Sequence, residues 1–151
     1  MTHIIHGAAI TKFNLPLKDI ELVNLIGTLQ VLTLAKSFPH LIQFAFISSA
    51  YVSGKRTGKI YESISTHVPL FVNTYEQSKY EAEKLIMKYQ SQIPITIYRL
   101  STLIGHSRTG KVSHFTSPHQ ALRMMYLGLA SMVPGTPDFI VDLIPSDYAG
   151  E

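Results

Sequence analysis

The apolar run from Leu41 to Ile47, closed by Ser48 and Ser49, constrains the fold of this chain more than any other stretch. A run of that kind, without the alternation of a half-solvated strand, is what a parallel sheet covered on both faces demands. His3-Ile4-Ile5-His6 is a shorter apolar strand, closed by Gly7-Ala8-Ala9, small residues that let something approach the backbone. Ile95-Thr96-Ile97-Tyr98-Arg99-Leu100 is a strand carrying β-branched residues, and Phe139 to Ile144 is a last one, stopped by Pro145.

Helical patterns fall between these strands. From Leu17 to about Lys36, after Pro16 in the first turn, apolar residues occupy most of the helix circumference, which predicts cover on more than one side. Such a helix is either wholly buried or packs part of its surface on a second copy of the chain, and we lean to a homodimer. A second helix, about Thr74 to Gln90, sets Ala82, Leu85, Ile86 and Tyr89 in one stripe with Glu81, Glu83, Lys84 and Lys88 outside. Residues 50–73, rich in Ser, Gly, Thr and Pro, form a connection of the length that more often serves function than not. Residues 101–117 are loop-like, 118–131 are helical after Pro118, and Ser146-Asp147 reads as a helix N-cap. Alternating strands and helices give an α/β parallel sheet with right-handed crossovers, in a single domain over residues 1–151.

Composition narrows the chemistry. With 46% hydrophobic residues the chain can bury a real core. The absence of cysteine excludes disulfides, thiolate zinc sites and a cysteine nucleophile, and agrees with a reducing, cytoplasmic setting. No apolar run reaches the ~18 residues of a membrane span. The formal charge of +3 is carried by scattered Lys and Arg, with only Lys55-Arg56 adjacent, so no nucleic-acid footprint emerges; mild basicity suits solubility or the phosphates of a cofactor. The seven His residues show no metal-ligand spacing, and no metal is expected.

The chemically suggestive stretch is Tyr75-Glu76-Gln77-Ser78-Lys79. On a helix Tyr75 and Lys79 are four apart and share a face, so a phenol, an ammonium and the hydroxyl of Ser48 or Ser49 can meet. That set can move a proton to or from a carbonyl or alcohol oxygen, the cation pulling the phenol below its ordinary ~10. On spacing alone, a solvated helix face is the commoner arrangement. Asn24 within its helix reads equally as an ordinary buried amide, and Arg108 as a solvated loop residue or a phosphate ligand.

The order of the motifs is more specific than any one of them. His6-Gly7-Ala8-Ala9, Val23-Asn24-Leu25-Ile26-Gly27-Thr28, Ile47-Ser48-Ser49-Ala50-Tyr51-Val52 and Tyr75-x-x-x-Lys79 together resemble the extended short-chain dehydrogenase/reductase superfamily. Tyr98 to Gly105, Ser107-Arg108-Thr109-Gly110 and Val141 to Tyr148 are most similar to its thioester-reductase and fatty-acyl-reductase branch. The resemblance implies a Rossmann-like NAD(P)-binding sheet with flanking helices. It makes Tyr75 the general acid, Lys79 the group that lowers its pKa and binds the nicotinamide ribose, and Ser49 the hydrogen-bond donor to the substrate carbonyl. Asn24 would support the lysine through its main-chain carbonyl and a water. Ala8, Ala9 and Ser48 would line the cofactor together with Tyr75 and Lys79, and Leu100, Ser101 and Thr102 would sit against the nicotinamide. The implied cofactor is NADP, with NAD as the variant, and the implied substrate an acyl thioester on coenzyme A or a carrier protein, reduced to an aldehyde or alcohol.

One departure matters. The family's first strand leads into a G-x-x-G-x-x-G turn that cradles the pyrophosphate, and no such pattern occurs here. About two βα units of ~30 residues each are expected to be missing before Met1, which makes the sheet incomplete at its first strands. A nucleotide-sugar epimerase or dehydratase of the same superfamily, and a truncated, non-catalytic interaction module, remain as alternatives.

Overall fold

The computed structural model describes residues 1–63, 67–130, 136 and 140–150. The chain divides into two compact units, Met1–Arg99 and Leu100–Glu151.

The sheet of the first unit is β1 (His3–His6), β2 (Gln43–Ser49) and β3 (Ile95–Leu100, its last residue counting with the second unit), in the order β1-β2-β3. The pairing of β1 with β2 is parallel, with His3 opposite Gln43 and His6 opposite Phe46. The predicted β3 coincides with the observed one, and β1 likewise. Strand β2 starts and ends two residues later than its apolar run, so Ser48 and Ser49 lie inside it: both are buried, and a strand tolerates buried hydroxyls when partners wait for them.

The predicted long helix is present over its whole length but is not uniform. It comprises α1 (Leu17–Glu21), a π-helical turn (Leu22–Gly27) and α2 (Thr28–Lys36). One stripe of it is buried, Ile20, Asn24, Thr28, Leu32 and Ala35. Leu22, Ile26 and Leu34 on the other side are exposed, so the expected cover on more than one side is not met within this chain. The next helix, α3 (Thr74–Met87), ends short of Gln90 in a set of tight turns.

Leu32 and Ala35 of α2 and Ala82 and Ile86 of α3 close the core over Phe44 and Phe46, two side chains on one face of β2. On the opposite face of β2, Ala45 and Ser49 are buried as well, so that strand is covered on both faces as expected, while Ile5 of β1, the register partner of Ala45, is 77% exposed. Glu83, expected outside, is a correction: it is buried among α3's inward residues because a cation and a hydroxyl meet it there.

The second unit holds β4 (Thr102–Ile104) paired parallel with β5 (Leu143–Pro145), then α4 (Ser117–Tyr126) and α5 (Ser146–Gly150). Strand β4 corrects the loop-like reading of its residues, since three residues are too few to show a period. Helix α4 ends earlier than predicted. Phe139, at the start of the predicted last strand, and Ser131, at the end of the predicted helix, lie outside the described residues.

Candidate active site

The site is built where the first turns of α3 meet the end of β2. Asn73 caps α3: its side chain accepts from the Glu76 N–H at 3.0 Å and donates to Glu76 Oε1 at 2.9 Å, a reciprocal cap that fixes where the helix begins. Tyr75 therefore falls in the first turn, and Lys79 and Glu83 follow at one-turn intervals on the same face. Three consecutive residues of β2 answer them. The Ser49 hydroxyl comes close enough to the Tyr75 phenol to favour its charged form. Lys79 Nζ donates to the Ile47 carbonyl at 2.7 Å and stands 4.1 Å from the centre of the Phe46 ring. Ser48 Oγ donates to Glu83 Oε1 at 2.5 Å.

Ser48 was expected at the cofactor, and its hydroxyl is engaged with Glu83. That carboxylate is also gripped by Arg99 of β3, with Nε 3.0 and 3.2 Å from its two oxygens and Nη2 2.7 Å from Oε2. Ser49 accepts from the Tyr51 N–H at 3.2 Å, which starts the 3-10 turn Ala50–Ser53.

Asn24 stands in the π-helical turn and is buried. Its Oδ1 accepts from the Ile10 N–H at 2.7 Å, and its Nδ2 donates to the Ile10 carbonyl at 3.0 Å and to Ser78 Oγ at 2.9 Å. Ser78 in turn donates to the Tyr75 carbonyl at 2.8 Å. Asn24 thus pins both the segment after β1 and the first turn of α3. Its main-chain carbonyl, the atom assigned to the lysine by resemblance, accepts from Thr28 Oγ1 at 2.7 Å. With that proton given away, Thr28 accepts from His6 Nε2 at 2.9 Å, which places the hydrogen of neutral His6 on Nε2.

The electrostatics differ from expectation at one point. The Tyr75 phenol is raised above its ordinary 10.0, chiefly by burial, with the Ser49 hydroxyl opposing and nearby Tyr51 adding to the rise. The expected lowering by Lys79 is thereby corrected, since that ammonium is drawn to Ile47 and Phe46. A phenol so placed stays protonated at neutral pH, as a general acid must. Burial pushes Lys79 itself down to about 8, and Glu83 acts against that. His6 is lowered by burial and then by the Lys79 charge.

Ala8 is exposed and Ala9 half-buried just beyond β1. Phe13 of the same segment lies 5.7 Å from the Tyr75 ring. Leu100, Ser101 and Thr102 belong to the second unit, where Ser101 donates to the Asp142 carbonyl at 2.7 Å. Among the described residues no group of three or more acidic or His side chains is arranged to hold a metal, and no helix is long and apolar enough to cross a membrane. Glu83, Arg99, Thr28, His6 and Ser78 are the site residues that sequence reasoning missed.

A family model of NAD-binding proteins, described as male sterility protein, matches residues 1–151. Fatty acyl-CoA reductase 1 of Xenopus laevis is 27% identical over 173 residues, which cover 95% of this chain and 33% of that protein. The chain thus spans 33% of the length of the fatty acyl-CoA reductases that it matches. The terminal R domain of the myxalamid biosynthetic pathway superposes with a TM-score of 0.83 at 30% identity, over 97% of this chain and 37% of that one. UDP-glucuronic acid 4-epimerase of Bacillus cereus, solved with UDP-glucuronic acid and NAD, shares the fold at a TM-score of 0.76 and 22% identity, over 99% of this chain and 47% of that one.

Proposed function

Because this chain belongs to the male sterility family of NAD-binding reductase domains, within the extended short-chain dehydrogenase/reductase superfamily, we propose that it is the core of an NADPH-dependent reductase of acyl thioesters. The observation that carries the reading is the approach of the Ser49 hydroxyl to the Tyr75 phenol, with Lys79, one helical turn further along α3, held by its ammonium at the Ile47 carbonyl. The donor set fits the nicotinamide half of a dinucleotide. Ala8 and Ala9 leave the backbone beyond β1 open, and Lys79 has further N–H donors for ribose hydroxyls beyond the one given to Ile47. The pyrophosphate half is a different matter, since a glycine turn of the usual pattern is not among these residues.

A bound nicotinamide supplies the hydride. The chain's own residues do the rest. Ser49 Oγ donates to the carbonyl oxygen and stabilises the charge that grows on it, Tyr75 Oη gives that oxygen its proton, and Lys79 orients the sugar. Asn24, through Ile10 and Ser78, holds the walls of this arrangement. The thioester is carried by coenzyme A or a carrier protein, and the exposed apolar side of α1 to α2 supports a two-fold pairing of subunits.

The test supplies the intact protein with NADPH and a long-chain acyl-CoA and follows cofactor oxidation together with release of free thiol. The two are expected in step, and Tyr75→Phe is expected to lower turnover by about two to four orders of magnitude while NADPH still binds. Turnover of a nucleotide sugar without net cofactor consumption, with the thioester untouched, would instead make the protein an epimerase. Full activity in Tyr75→Phe removes the phenol from the mechanism. These 151 residues alone are expected to bind NADPH weakly, and isothermal titration measures that.

A further inference from the structure

The mechanism above leaves a buried carboxylate without a task. Glu83 is 1% exposed, and it is met by a hydroxyl of β2 and a guanidinium of β3. A carboxylate in such a place costs stability unless the geometry around it is complete, and here it is. Its position is what gives it meaning. Tyr75, Lys79 and Glu83 stand on one face of α3 and engage Ser49, Ile47 and Ser48 in a strip three residues long. Two of these rungs are the proton-transfer groups. The third is Glu83, and it alone is tied to the far strand.

We propose that Glu83 is a positioning residue for Lys79: clamped by Arg99 and Ser48, it fixes how α3 lies along the end of β2 and so aims Nζ at the Ile47 carbonyl. The inference rests on the reductase reading for its purpose, though not for its geometry. The clamp has an electrostatic side as well. The ammonium feels Glu83 from its own helix and His6 from β1; Tyr75 stands one turn earlier on that helix with Tyr51 of the 3-10 turn acting on it, and Arg99 of β3 stands beyond Glu83. From β2 it meets the Phe46 ring and the Ile47 carbonyl, and the π-helical turn brings the uncharged Asn24 to the same helix. Of these groups Glu83 favours the ammonium against burial. An opposite charge one turn away is in reach to do so.

A clamp that only stabilised the fold would leave the proton affinity of Lys79 alone, and this separates the two roles. Isotope-labelled lysine ε-methylene signals of the chain, assigned with Lys79→Met, are titrated by NMR without cofactor or substrate. Lys79 is expected to titrate near about 8 in the wild type. In Glu83→Gln/Arg99→Gln, which removes both charges and leaves two hydrogen-bonding amides, it is expected about one unit lower, a tenfold loss of proton affinity. The same titration point in both chains overturns the proposal. Should the double variant not fold, Glu83→Gln alone is read the same way, because Arg99 is 19% exposed and can rehydrate. If neither variant folds, Glu83 is a determinant of the fold only, and the proposal falls. Since no turnover is measured, a protein in which Lys79 responds to Glu83 but no thiol is released refutes the reductase reading and leaves the clamp standing.

Discussion

Among the described residues each unit holds a carboxylate gripped by a serine with a basic side chain nearby, Glu83 in the first and Asp147 in the second, in opposite surroundings. In the first, Ser48 donates to Glu83 at 2.5 Å and Arg99 closes on the carboxylate at 2.7 Å, with the Glu83 side chain 1% exposed. In the second, Ser107 donates to Asp147 through its hydroxyl at 2.6 Å and its backbone N–H at 2.8 Å, and His106 Nδ1 stands 3.8 Å off. That nitrogen also accepts from the Arg108 N–H at 3.2 Å, and the His106 side chain is 41% exposed. The comparison extends to packing. Every buried residue described lies in the first unit; within Leu100–Glu151 none of the described residues is buried, and Leu122, Tyr126 and Leu129 are exposed. What differs is the solvent around similar bonds: water reaches Asp147 and its partners far more than Glu83 and its own, so the buried cluster is the better able to hold two elements in register.

The comparison breaks most readily at the carboxylates. Glu83→Ala is expected to cost about 3–5 kcal/mol, because the mostly covered Arg99 guanidinium and the buried Ser48 hydroxyl are left beside a hole, whereas Asp147→Ala should leave the urea midpoint of the first unit's transition where it was. Equal shifts would mean that burial does not set the difference. A second effect concerns pH. The folded-state pKa of Lys79 is depressed to about 8 against an ordinary 10.5, so between those values the unfolded chain holds a proton that the folded chain has released. Stability should therefore rise with pH across that window, by at most on the order of 3 kcal/mol, and Lys79→Met should flatten the rise. His6, also depressed, acts in the same sense at lower pH: stability falls as pH drops below 6.5, where the unfolded chain takes up a proton that the buried ring resists. Asp147 is held at about 2 by the Ser107 bonds, yet it is in water, and no stability change is expected of it at neutral pH. The smallest contrast compares the hydroxyls. Ser48→Ala is expected to lose about 1.5–3 kcal/mol, the value of a bond to a buried charge, and Ser107→Ala nothing measurable by thermal unfolding.

Much of the first unit could be read from the sequence, for reasons that the second lacks. The bounds of the long helix and of β1 and β3 follow from apolar runs that end in Pro, Gly or Ser, and the Tyr75, Lys79 and Ser49 grouping follows from helical spacing plus the end of one strand. Glu83 was misread because α3 is amphipathic on average and a charged residue beside Glu81 and Lys84 looks solvated. The signal was there in another place. Arg99 stands in a strand of β-branched residues, where a charge requires a buried partner, and Glu83 falls at the next turn after Tyr75 and Lys79. The π-helical turn had no sequence signature, since Asn24 and Gly27 are ordinary helix residues until Ile10 and Ser78 come to meet the amide. In the second unit the runs are short and uncovered, so pattern had little to act on, and β4 went unseen.

The π-helical turn from Leu22 to Gly27 has a mutational consequence of its own. A helix advances about 100° of rotation per residue, and a π turn accommodates one residue more than an α turn. Deleting an outward-facing residue there, Leu22 or Ile26, would therefore leave a plain α turn with the flanking segments in their present phase, so that Ile20 stays inward. This short stretch should therefore tolerate loss of one such residue far better than an inserted one, which would swing Ile20 away from the interior by about 100°.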